Sequence, residues 1–154
     1  MDQQRRHTLK AGMGLGMFGV LVSTGMLRPG VALAATDRAI FSATTLAEAF
    51  AAIGAGKPDQ SAEILISAPD IAENGAVVPI GVTTSLPGTE QIAIMVEKNP
   101  NMVAATFSIP DGTLPDIQTR VKMAQTSDVW VLVKANGKFH VARKEVRVTL
   151  GGCG

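Results

Sequence analysis

The only cysteine of this 154-residue chain, Cys153, stands in the terminal run Gly151-Gly152-Cys153-Gly154. A thiolate attacks carbon and sulfur electrophiles, binds soft metals, and exchanges sulfur–sulfur bonds without breaking its own carbon–sulfur bond. Gly151 and Gly152 form a swivel because glycine tolerates nearly all backbone conformations, and Gly154 sets no side chain beside the thiol. Four residues extended at ~3.3–3.6 Å each make an arm on the order of 13 Å, long enough to bring a group from a strand end into another protein's cleft. Such an arm suits a substrate carrier better than an enzyme, since an enzyme fixes its nucleophile to gain from orientation. A free thiol with a pKa of about 8.5 is only a few per cent thiolate at neutral pH, so a partner must activate it. Composition ranks a plain intermolecular disulfide level with the carrier.

Most other site chemistries lack their residues. The histidines are His7 and His140, so a Cys/His metal quartet, Cys-x-x-Cys redox chemistry and Cys-x-x-Cys-His haem attachment are excluded. No G-x-S-x-G elbow occurs, and the glycines of 151–154 do not join a strand to a helix as a phosphate loop would. Glu48, Glu63, Asp70, Glu73, Glu90, Glu97, Asp111, Asp116 and Asp128 are scattered and read as solvated. Met95, Met102 and Met123 alternate with Ile, Val and Ala and read as packing rather than copper ligands. Trp130 reads as core or interface. His140 reads as a surface strand histidine, and a thiol enzyme would need a better activating neighbour for Cys153. Arg143, Lys144 and Arg147 read first as a solvated cationic strand face and second as a means of favouring an anionic adduct. Prenylation needs cysteine followed by three residues, and a lipoprotein cysteine belongs at a signal cleavage site; Cys153 fits neither.

The first 34 residues read as an address. Arg5-Arg6 precedes Lys10 and a glycine-rich apolar run to Leu27, and Ala32-Leu33-Ala34 supplies a small-x-small cleavage site, so a twin-arginine signal peptide over 1–34 is expected. Export to a periplasm follows, with no membrane attachment after cleavage. Fourteen Lys/Arg less the four before residue 35 leave ten, against twelve Asp/Glu, so the exported part carries about −2 and lacks a nucleic-acid footprint. The remaining 120 residues suit one domain over 35–150 followed by the arm over 151–154.

The elements that must hold the arm are short. Thr45-Leu46-Ala47-Glu48 has the form of a capping box, and Leu46, Ala49, Phe50 and Ile53 recur at helical spacing before Gly54, Gly56 and Pro58. Beyond residue 61, β-branched runs alternate with turns: 62–67, 76–83, 90–97, 102–109, 117–125, 129–134 and 139–150. About seven strands in this spacing predict a mainly β, immunoglobulin-like antiparallel β-sandwich with a short N-terminal helix and a flexible C-terminal arm. Asn136-Gly137 is the preferred pair for a two-residue type I′ hairpin. On the last strand Phe139 and Val141 have one parity while Val146, Val148 and Leu150 have the other, which predicts a bulge near Arg143-Lys144-Glu145. Val129–Val133 is apolar at every position, covered either on both faces within the monomer or on one face by a partner.

The stretches AENGAVVPIGV (72–82), EKNPN (97–101), TRVKMAQTSDVWV (119–131) and KEVRVTLGGCG (144–154), with the twin-arginine start, resemble the SoxY sulfur-carrier family of the periplasmic thiosulfate-oxidation (Sox) system. The family tail usually reads Gly-Gly-Cys-Gly-Gly, and this chain is one glycine short. The resemblance implies covalent sulfur attachment at Cys153 on an arm of Gly151, Gly152 and Gly154. It implies a carrier that is not itself an enzyme and needs no cofactor. It also implies a heterodimer with a SoxZ-like small β subunit, which would account for the apolar strand Val129–Val133. Further partners would be a haem-containing thiosulfate-conjugating enzyme, a manganese-dependent sulfate-releasing hydrolase, and a molybdenum- and haem-containing sulfane dehydrogenase.

Overall fold

A computed structural model describes residues 39–150; the expected signal peptide and the arm over 151–154 lie outside the described residues. Helix α1 spans Leu46–Ile53. The strands are β1 (Asp59–Gln60), β2 (Ile64–Ser67), β3 (Ile71–Ala72), β4 (Val78–Thr84), β5 (Thr89–Val96), β6 (Val103–Ser108), β7 (Asp116–Val121), β8 (Ser127–Ala135) and β9 (Lys138–Val148). The seven runs anticipated from patterning are β2 and β4–β9. The two-residue β1 and β3 are too short to alternate, and both pair parallel with β9, Asp59 opposite His140 and Ile71 opposite Arg147.

Two sheets make the immunoglobulin-like sandwich: β1-β9-β8-β5-β6, with β3 also on β9, and β2-β4-β7. They close on Val78, Ile80 and Val82 from β4 and on Ile92, Ile94, Val129, Val131, Val133 and Val146 from the larger sheet, all at 0% exposure. Full burial of each such side chain is worth roughly 1.5–3 kcal/mol. The larger sheet is apolar on its other face too. There Ala93, Met95, Leu132 and Val141 pack beneath Ile40, Ala43 and Ala49, with Phe50 and Ile53 of α1 and Trp130 and Phe139 at the margin.

This second layer settles the all-apolar strand. Val129, Val131 and Val133 face the sandwich and Leu132 faces α1, so both faces of β8 are covered by its own chain. The strand therefore gives no argument for a partner subunit. The same layering removes the expected bulge: β8 and β9 pair in continuous register from Ser127 opposite Val146 to Ala135 opposite Lys138. Phe139 and Val141 enter the helix-side cluster while Val146 and Val148 enter the sandwich, so opposite parity serves two cores. Leu150 joins neither and is 68% exposed.

The local signals hold with one change of partner. Thr45 caps α1 by accepting from the Glu48 N–H at 3.2 Å, and Gly54 ends it at φ 82°. The Glu48 carboxylate, however, reaches past Thr45 to accept from the Thr44 N–H at 2.9 Å and the Thr44 hydroxyl at 3.0 Å. These bonds from Thr44 hold the Glu48 pKa below its ordinary value. A depressed carboxylate pKa stabilises the fold above the unfolded value and loses that contribution as pH falls through the folded one. Acid should thus loosen the entry to α1, and Glu48→Gln should flatten this part of a thermal-melt pH profile and lower the neutral-pH midpoint by the small amount that acid removes from the unsubstituted chain. At the hairpin, Asn136 (φ 49°) and Gly137 (φ 72°) form the left-handed pair that a type I′ turn requires.

Candidate functional site

Residues 151–154 follow Leu150 in sequence, so the candidate site begins with what holds β9's end. Along a strand, successive N–H groups point to opposite edges. On one edge Arg147 N–H donates to Asp70 C=O at 3.0 Å and Thr149 N–H to Ala72 C=O at 3.1 Å, and the Thr149 hydroxyl donates to Glu73 C=O at 3.0 Å. On the other edge β8 has already ended, since its first residue, Ser127, lies opposite Val146. Val148 N–H there donates to the hydroxyl oxygen of Thr126 at 2.9 Å. Leu150, the last described residue, accepts at its C=O from Gly75 N–H at 2.7 Å.

Two turns brace these partners. Asn74 folds its own segment by accepting from Ala76 N–H at 2.9 Å, which presents Gly75 to both neighbours. Gly75 C=O accepts from Met123 N–H at 2.7 Å, so one residue links the strand end to the segment after β7. Asn99 holds that segment from beyond β5: its Nδ2 donates to Lys122 C=O at 2.7 Å and its Oδ1 accepts from Ala124 N–H at 3.0 Å. Met123 is wholly buried in the sandwich core. The stretches 72–82, 97–101, 119–131 and 144–150, distant in sequence, thus meet at one end of the sandwich.

Of the residues singled out from sequence, Gly151, Gly152, Cys153 and Gly154 lie outside the described residues, and the structure describes the root on which they follow. His140 is at the hairpin end of β9, roughly 26 Å from Val148 at ~3.3 Å per residue. Arg143, Lys144 and Arg147 do not make one cationic face. Arg143 pairs with Asp128 at 3.0 Å and lies 5.4 Å from the Trp130 ring centroid, while Lys144 points to the other face and holds Asp70 at 3.1 Å and Ala68 C=O at 2.6 Å. Arg147 approaches Glu145 at 3.8 Å. Trp130 donates its indole N–H to Glu97 at 2.9 Å and closes the edge of the helix-side core. Met95 and Met123 are buried in the two cores, as packing residues.

A depression of about 160 Å³ beside the root is rimmed by Glu97, Asp128 and Glu145 with Lys98 and Thr126. Two of its carboxylates already carry arginine partners, which leaves no surplus positive charge there for an anionic group. No cluster of three or more His, Cys, Asp or Glu suited to a metal occurs among the described residues. Patterning missed Thr126, Thr149, Asn74, Gly75 and Asn99 as site residues. Asn74-Gly75 and Asn99-Pro100 are turn-forming pairs, which is the signal for Asn74, Gly75 and Asn99; Thr126 and Thr149 have no such signal.

The family model described as sulfur oxidation protein SoxY matches residues 50–153. Among solved structures, the sulfur carrier protein SoxY from Chlorobium limicola f thiosulfatophilum is 42% identical with a TM-score of 0.63, covering 70% of this chain and 95% of that one. The T24K form of superoxide reductase (neelaredoxin) from Ignicoccus hospitalis is 20% identical with a TM-score of 0.50, covering 68% of this chain and 92% of that one, a likeness of fold alone. No curated protein sequence matches the chain.

Proposed function

The chain belongs to the SoxY family of sulfur oxidation proteins, and from that membership we propose that it is a periplasmic sulfur carrier of thiosulfate oxidation, holding its cargo covalently on Cys153. What carries this reading is that the family match ends on residue 153, the sole cysteine. The twin-arginine start supports export, and the hydrogen bonds at the end of β9 support a domain that holds in place the strand preceding Cys153.

The chemistry asked of the chain is small. Thiosulfate joins the Cys153 thiolate as Cys–S–S–SO3⁻ with loss of two electrons, which a haem-containing partner accepts. Water then cleaves the terminal S–S bond, releasing sulfate and protons and leaving Cys–S–S⁻ for oxidation by a sulfane dehydrogenase. The hydrolase is the manganese-dependent partner. The carrier contributes a thiol whose sulfur–sulfur linkage forms and breaks while its carbon–sulfur bond stays intact. It also contributes glycines that add little bulk beside the thiol. A SoxZ-like subunit completes the proposed assembly.

The test is intact-mass analysis of the protein purified from cells oxidising thiosulfate. Thiosulfonate or persulfide adducts on Cys153 are expected. A free thiol only, or a stable disulfide-linked dimer on non-reducing gels, would instead favour an exported binding or structural domain that uses Cys153 for a permanent crosslink.

A further inference from the structure

Two Asn-Gly pairs, Asn74-Gly75 and Asn136-Gly137, are equals by sequence. Glycine after asparagine leaves the next backbone nitrogen unshielded, so that it can attack the asparagine side-chain carbon. A nitrogen–carbon bond forms, the Cγ–Nδ2 bond breaks, and ammonia leaves carrying the glycine's proton. Water then opens the cyclic imide to aspartate or isoaspartate, with no transfer of electrons. Asn99 precedes Pro100, which has no N–H, and Asn101 precedes the bulkier Met102.

The fold separates the two pairs at every reacting atom. At Asn136 a carboxylate guards the attacking nitrogen: Gly137 N–H donates to Glu90 at 2.9 Å, and Lys134 holds Glu90 at 2.7 Å. That bond must open first, and the nitrogen would then lose its proton beside a negative charge. The leaving nitrogen is tied as well, since Asn136 Nδ2 donates to Pro87 C=O at 2.9 Å, and Oδ1 lies over the bare Cα of Gly88, where any side chain would collide. At Asn74 the leaving Nδ2 has no partner among the described residues, and Oδ1 accepts from Ala76 N–H at 2.9 Å. That donor sits where negative charge grows on the oxygen during attack. Gly75 N–H is held only by a neutral acceptor, Leu150 C=O at 2.7 Å, and a bond to an ionised acceptor is about twice as strong.

We propose that Asn74 is the site at which the folded chain deamidates, and that Glu90 keeps Asn136 from doing so. Exposure alone puts them in the reverse order, since Gly137 is exposed and Gly75 buried. Isoaspartate at 74 adds an extra backbone atom ahead of Gly75, the residue that accepts Met123 N–H at 2.7 Å and holds the Leu150 carbonyl. Conversion there loosens the bonds that join the end of β9 to the segment after β7.

The experiment ages the full chain at mildly alkaline pH and maps its peptides by mass, scoring the increase as an amide becomes an acid. In denaturant the two asparagines should convert at like rates, because each precedes glycine. In the folded chain Asn74 should convert on the order of 5- to 10-fold faster than Asn136, the difference between a neutral and a charged hydrogen bond at the attacking nitrogen. Glu90→Ala should speed Asn136 by a similar factor and leave Asn74 unchanged, which also reports that the fold is intact. Should Glu90→Ala fold poorly, Glu90→Gln gives a second reading: it keeps an acceptor for Gly137 N–H and removes the charge, so Asn136 should still convert faster than in the unsubstituted chain. A folded chain in which Asn136 keeps pace with Asn74, or in which neither converts, would overturn the proposal. So would Asn136 conversion left unchanged by substitution of Glu90.

Discussion

Cys153→Ser should reduce sulfur loading to background. After exposure to thiosulfate and the conjugating partner, the variant should show no thiosulfonate or persulfide mass, and thiosulfate-dependent oxidation in a reconstituted system should stop. The loss is expected to be complete rather than graded, because a serine hydroxyl cannot form the sulfur–sulfur bond on which every later step acts. Stability should barely change, since surface substitutions away from packing and hydrogen-bond networks usually stay within about 0.5 kcal/mol. A thermal melt of the variant beside the unsubstituted protein checks this. A serine variant that still supports turnover would remove Cys153 from the mechanism, and one that melts far lower would make the residue structural.

Leu132→Ala should be among the most damaging core truncations on the helix-side face. Leu132 is 1% exposed on β8, beneath the N-terminal segment. A buried Leu→Ala change costs about 2–5 kcal/mol through lost transfer energy and the cavity left behind. Against a total stability of about 5–15 kcal/mol this is a large fraction, and for a domain of this size it lowers the melting temperature by on the order of 10–20 °C. The measurement is a melt of the isolated chain with no partner present. If that face of β8 were covered by another subunit rather than by α1, the isolated chain would lose less than about 1 kcal/mol, and the cost would appear only in assembly. Val131→Ala probes the sandwich face of the same strand and should also destabilise the isolated chain.

These two substitutions also separate what was readable in advance from what was not. The glycines of 151–154 and the cysteine among them are local facts, and their chemistry follows from residue type. The same holds for the Thr45 cap, the Gly54 stop and the Asn136-Gly137 hairpin, each governed by a few neighbouring backbone groups. Parity along β9 was equally visible, yet its meaning was not. Phe139 and Val141 against Val146 and Val148 looked like a defect in a one-core sandwich, because the pattern of one strand does not say how many layers cover it. Likewise the unbroken apolar run Val129–Val133 is the same string whether the second cover comes from α1 or from a partner.

Residue type and contacts within a few positions suffice for the seven longer strands, the turn chemistry, the resemblance to a sulfur-carrier family and the place of the sole thiol after the last strand. Contacts between distant segments were needed to show that the larger sheet is buried on both faces, that Arg143, Lys144 and Arg147 are divided between partners, and that Asp70 to Gly75, Met123, Thr126 and Asn99 converge on the end of β9. Those depend on contacts between residues as far apart as Glu73 and Thr149. Hydrogen bonds that replace a ladder rung across such a gap leave no periodicity along the chain, because the donor's pattern ends where the acceptor's begins.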